Sequence, residues 1–95
     1  MNKLDEKELS AALAMLPGWR HDAAAGTLSR NFAFKSFVEA FGFMTRVALL
    51  AQAADHHPDW SNSYNKVSIT LSTHSAGGIS RNDVALAEKI DALVA

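Results

Sequence analysis

Four histidines hold most of the chemistry this sequence could perform. His56 and His57 are adjacent, His74 stands directly before Ser75-Ala76-Gly77-Gly78, and His21 lies apart from them. An imidazole with its ordinary pKa of about 6.5 both gives and takes protons near neutrality, so such residues suit general acid and base work. His56 and His57 fall at the end of an expected helix and His74 at the end of an expected strand. Junctions of this kind are surface points held by rigid elements, where functional groups collect. His21 falls inside an expected strand and reads as a surface residue.

Other chemistries fit less well. His56, His57, His74 and Asp83 could offer nitrogen and oxygen to a metal, but adjacent histidines diverge and no HxH or HxxxH spacing occurs, so no metal is expected. The chain has no cysteine, which excludes disulfides, thiolate catalysis and cysteine zinc sites. No GxSxG elbow accompanies the serines. Gly77-Gly78 lacks the further glycines and the lysine of a phosphate loop. Asp83 stands three residues after Ser80, the spacing of a helix capping box. Trp60 reads first as a packed aromatic, and Asp55 or Asp59 could orient a neighbouring histidine.

The elements that would position these groups are mostly visible. Asp5 to Met15 reads as a helix with Asp5 and Glu8 at capping-box spacing, ended by Pro17-Gly18. Trp19 to Asp22 and Thr27 to Phe34 read as a hairpin with Gly26 in its turn, the second strand burying Leu28, Phe32 and Phe34 with Arg30 on the same side. Ser36 to about Asp55 is the clearest helix, with Ser36 and Glu39 as a second capping-box pair. It carries two apolar stripes: Phe37, Phe41, Met44, Ala48 and Ala51, and beside them Phe43, Val47, Leu50 and Ala54. Together they exceed what one sheet contact requires, so a partner is expected against the face around Phe43, Val47 and Leu50. Pro58 stops the helix. Lys66 to Thr73 alternates as a strand with one wet face, Val67, Ile69 and Leu71 pointing inward. Ser80 caps a last helix to about Val94. Helices segregated from a small antiparallel sheet make an α+β fold, whose exposed sheet edges favour a second subunit.

The 95 residues form one expected domain, residues 1–95, with a formal charge of −1 and 48% hydrophobic composition. This balance suits a folded protein and offers no basic footprint for nucleic acid. The acidic N-terminal stretch lacks the apolar core of a signal peptide. The longest apolar run, Val47 to Ala54, is interrupted by Gln52 and too short for a bilayer, so neither nucleic acid nor membrane is an expected partner. Absence of cysteine fits a cytoplasmic setting.

The segment FGFMTRVALLAQAADHHPDW, followed by Tyr64, NKVSITLSTHSAGGIS and Asp83, resembles the pterin-4a-carbinolamine dehydratase family, whose mammalian members also serve as dimerisation cofactor of a liver homeodomain transcription factor. The resemblance implies a four-stranded antiparallel sheet with three helices packed on one face, in the order helix-strand-strand-helix-strand-strand-helix. The extra strand would lie near Trp60 to Tyr64 or within Trp19 to Phe34. It implies a homodimer that extends the sheet, or a homotetramer formed through the long helices. It implies dehydration of 4a-hydroxytetrahydropterin to quinonoid dihydropterin, in tetrahydrobiopterin or related pterin recycling for an aromatic amino acid hydroxylase, with no cofactor. By position, His56 and His74 would be the acid/base pair, and His57 would orient the pterin and share in proton transfer. Asp55, Ser72, Thr73 and Ser75 would line the pocket with the three histidines, and Asp83 would support the site near His74. Gln52 departs from the family, which usually has an ionisable residue four places before the first histidine. On a continuous helix Gln52 would face His56. Two other functions compete: a non-enzymatic dimerisation module, which the three histidines argue against, and activity on a related pterin such as one in molybdopterin metabolism.

Overall fold

The computed structural model describes residues 2–95. Along the chain run α1 (Glu6–Ala14), β1 (Arg20–Asp22), β2 (Thr27–Ala33), α2 (Phe37–Ala54), β3 (Asp59–Ser63), β4 (Lys66–Leu71), a short 3-10 turn (His74–Ala76) and α3 (Arg81–Val94). The strands make one antiparallel sheet in the order β1-β2-β4-β3. This is the expected α+β architecture, and the fourth strand is β3, the first of the two placements considered.

Local chemistry explains most boundaries. Asp5 caps α1 reciprocally: its carboxylate accepts from Glu8 N at 2.8 Å, and Glu8 accepts from Asp5 N at 3.2 Å. Two backbone donors that the helix cannot satisfy internally are thereby covered. At α2 only half of the expected box forms. Ser36 Oγ accepts from Glu39 N at 3.1 Å, and no return bond from the Glu39 side chain is made among the described residues. The β1–β2 turn closes on Asp22, whose backbone carbonyl accepts from Gly26 N at 2.8 Å and whose Oδ1 accepts from Ala25 N at 3.0 Å.

The core lies between the sheet and the helices. Leu28 and Phe32 from β2 and Val67, Ile69 and Leu71 from β4 meet Ala40, Phe43, Val47 and Ala51 from α2, with Val84, Ala87 and Ile90 from α3. Phe43 is fully buried beside the rings of Phe32 and Phe34. Burial of a side chain this size stabilises by about 1.5–3 kcal/mol. Arg30 shares the buried face of β2 because it has partners there. Its Nη1 donates to Asp91 Oδ1 at 2.6 Å, and its guanidinium lies over the Phe32 ring. Trp19 Nε1 donates to the same Asp91 oxygen at 2.8 Å, so one carboxylate ties the end of α3 to the first hairpin.

One expectation about α2 is overturned. Phe43 and Val47 do not face a partner; they are buried in the subunit's own core. The outward apolar residues are Phe37, Val38, Phe41 and Leu49, with Phe41 57% and Leu49 67% exposed. Apolar residues nearly encircle this helix, so periodicity alone could not say which stripe meets the sheet. Taken as a whole helix, α2 has 18 residues at a mean hydropathy of 1.3, long and apolar enough by those measures to cross a bilayer. Only 22% of that window is buried within the subunit, so much of its apolar surface faces outward.

Candidate active site

Three separate elements deliver the candidate residues. His56 and His57 follow α2, His74 opens the 3-10 turn after β4, and Asp83 sits in the first turn of α3. Asp55 leads from α2 into the adjacent histidines. It ends α2 in the left-handed conformation, φ 49° and ψ 43°, a geometry that aspartate tolerates better than most residues. Beyond it, His56 turns inward to Asp83 and His57 turns back to Gln52.

The hydrogen bonds around Asp83 form a closed set. Its Oδ1 lies 2.6 Å from His56 Nε2, in a side chain that is itself 0% exposed, while the His56 side chain is 11% exposed. Its Oδ2 accepts from Ser80 N at 2.9 Å and from Thr73 Oγ1 at 2.7 Å. Thr73 spends its one hydroxyl proton on Asp83, so at the 2.7 Å contact with Ser80 the Ser80 hydroxyl donates to Thr73. Three donors converge on this carboxylate, so both of its oxygens are engaged and no buried polar side-chain atom among the described residues lacks a partner. Because a carboxylate only accepts, His56 Nε2 donates to it, and none of the described hydrogen bonds engages Nδ1.

This arrangement specifies one supporting role and revises another. Asp83 reaches His56 directly and Thr73, the residue before His74, instead of the His74 ring; it also caps α3 in a reciprocal box with Ser80. Gln52 Oε1 lies 3.0 Å from His57 Nε2, not beside His56. The left-handed Asp55 breaks the helical repeat that would have set Gln52 over His56. Trp60 lies on the edge strand β3, 36% exposed, and none of the described hydrogen bonds joins it to a histidine. His21, on β1, borders a different concavity with Lys3, Asp5 and Glu6.

Ser72, Thr73 and His74 line a notch of about 180 Å³ together with Gly77, Gly78, Ala25 and Gly26. Ser75 is exposed on the same 3-10 turn. Ala25 and Gly26 come from the β1–β2 turn and were not legible as site residues; the glycine signalled only a turn. Ser80 was legible as a cap but not as a member of the Asp83 network. A wider depression of about 430 Å³ lies on the open sheet face, lined by Asn31, Ser61, Ser63, Lys66 and Ser68 among others. It contains no histidine or carboxylate, whereas His74 lines the notch.

Residues 2–93 match the family model described as pterin 4 alpha carbinolamine dehydratase. The chain belongs to that family. A Rhodospirillum rubrum protein with the provisional name pterin-4-alpha-carbinolamine dehydratase is 59% identical over 98% of this chain and 97% of its own length. A Synechococcus dehydratase, named equally provisionally, is 57% identical over 95% of each chain. Among solved structures, a transcriptional coactivator/pterin dehydratase from Brucella melitensis superposes with a TM-score of 0.93 at 44% identity, covering 99% of this chain and 100% of that one. A pterin dehydratase-like protein described as a RuBisCO assembly factor in the alpha-carboxysome gives a TM-score of 0.70 at 27% identity, over 80% of this chain and 88% of that one. The pterin dehydratase fold thus accounts for nearly the whole of the described chain.

Proposed function

We propose that this protein removes water from 4a-hydroxytetrahydropterin to give quinonoid dihydropterin, using His56, His57 and His74 for proton transfer and substrate orientation. The observation that carries the reading is the buried Asp83 carboxylate, which holds His56 by Nε2 and Thr73, next to His74, by its hydroxyl. Family membership supports the dehydratase class; the roles of individual residues are part of the proposal.

The chemistry needs an acid and a base. The 4a-hydroxyl leaves poorly as hydroxide, so one imidazolium protonates it. The C4a–O bond then breaks with the N5 lone pair forming C4a=N5. A neutral imidazole removes the proton that must leave the ring nitrogen system, and water departs. Each step asks for a group that titrates near neutrality and contributes about 10²–10⁴-fold. His56 suits either role, because Asp83 holds its orientation and stabilises the imidazolium when it forms. His57, held by Gln52, and the backbone around Ser72 to Ser75 would orient the pterin, with Asp55 at the mouth. The same reading places the protein in cytoplasmic pterin recycling for an aromatic amino acid hydroxylase and makes it a homodimer or homotetramer.

Stopped-flow absorbance of a freshly generated 4a-carbinolamine tests the reading. The expected result is faster decay in proportion to added protein. Decay at the spontaneous rate, with a correctly folded preparation, would leave the dimerisation-module reading in its place.

A further inference from the structure

The loop that carries His74 does not stand free. Ala76 N donates to Thr73 O at 3.0 Å and Gly77 N to His74 O at 3.1 Å, and Thr73 bridges to Gly78, so the loop is one compact unit. Besides the bonds of Thr73 to Asp83 and Ser80, two remote segments hold it. On one side Leu4 N donates to Ile79 O at 2.8 Å, and the stem of Lys3 lies over Gly78, where a Cβ would come 2.6 Å from Lys3 Cδ. On the other side stands the β1–β2 turn. Gly26 has φ +70°, and a Cβ built there would be 3.2 Å from Gly78 Cα and 3.9 Å from Gly77 O. The turn cannot easily withdraw, because Asp22 fixes it through both Ala25 N and Gly26 N. The notch beside His74 is walled by these same residues.

We infer that Gly26 is a positioning residue for His74: its bare Cα lets the β1–β2 turn seat directly on Gly78, and that contact sets the place of the His74 loop. The inference rests on the dehydratase reading for its catalytic consequence, but not for its structural one. A side chain at position 26 meets backbone, not a flexible side-chain end, so either Gly78 shifts by a few tenths of an ångström or the turn lifts. Both move one wall of the notch relative to His74. His57 is held by Gln52 and lies outside this contact, while His56 connects to the loop through Asp83 and Thr73.

The test compares the full chain with its Gly26→Ala variant by two readouts: histidine ring signals in NMR without ligand, and kcat and KM for the 4a-carbinolamine. The expected pattern is a displacement of the His74 ring signals larger than that of His56 and absent at His57. It comes with kcat lower by about tenfold and KM within about twofold, since small misplacements of a reacting group are costly. Parental His74 signals and kcat in a folded variant would overturn the inference. So would equal displacement of all three histidines, which marks general loosening. Should Gly26→Ala fail to fold, Asp22→Ala loosens the same turn without adding a side chain. It should move the His74 signals in the same sense and lower kcat by about threefold, and parental values there overturn the inference. Lack of turnover in the parent protein refutes the dehydratase reading alone, because the ring signals still decide the positioning.

Discussion

His57 is joined to Gln52, five residues before it, through a 3.0 Å contact between Nε2 and Oε1. The amide oxygen only accepts, so the ring nitrogen facing it carries a proton. Replacing Gln52 with Glu puts a carboxylate at this contact. An opposite charge favours the protonated ring, so the imidazolium of His57 persists to higher pH in the variant. Ring NMR titrations of both proteins check this. The His57 midpoint should rise while that of His56 stays in place, and a His56 response without a His57 response would contradict the geometry.

Asp83→Asn tests the buried network. The amide brings two donors to a place where His56, Ser80 N and Thr73 all donate. Turned toward Ser80 N, the amide nitrogen faces a backbone donor that cannot change; turned toward His56, it forces the ring proton from Nε2 to Nδ1, and an unsatisfied buried group costs about 1–3 kcal/mol. Urea unfolding should show a loss of that size, with turnover reduced by at least about tenfold. Parental stability and turnover together would contradict the assigned network.

The histidines should separate by their kinetic effects. His56→Ala and His74→Ala should each lower kcat by about 10²-fold or more, the scale of a lost general acid or base. His57→Ala should act mainly on KM. Three folded variants with unchanged kcat and KM would remove the proton-transfer assignment altogether.

Self-association should depend on the outer face of α2. Phe41 and Leu49 are exposed there in the isolated subunit, and an apolar face of this kind is a favoured contact surface. Light scattering should give a dimer or tetramer, and Phe41→Lys with Leu49→Lys should reduce the assembled mass. A parent that scatters at the monomer mass of 10.2 kDa would defeat the expectation.

What could be read from the sequence followed the strength of local signals. The alternation of Val67, Ile69 and Leu71 marked β4, and Asp5 with Glu8 marked the start of α1. By contrast β3, Asp59–Ser63, has almost no buried position. Its pairing with β4 makes it a strand, and no periodicity in DWSNS announces that. The packed face of α2 was misjudged because apolar residues surround the helix. The same limit applied to the site. The histidines stood out by type, and Asp83 stood out by its cap spacing. The contact between His56 and Asp83 spans 27 residues of sequence and exists only once α3 packs against α2. The partnership of Gln52 depended on a single left-handed residue, Asp55.

The shared use of Asp83 ties the assembly of the site to the folding of α3. The oxygen that accepts from Ser80 N belongs to the same carboxylate that holds His56. Fraying of the first turn of α3 therefore releases the imidazole in the same event. A partly unfolded form with an intact His56 environment and a melted α3 start is not accessible. Deuterium uptake at the Ser80 amide consequently reports how often the contact between His56 and Asp83 comes apart, in a protein with no ligand bound and no reaction under way.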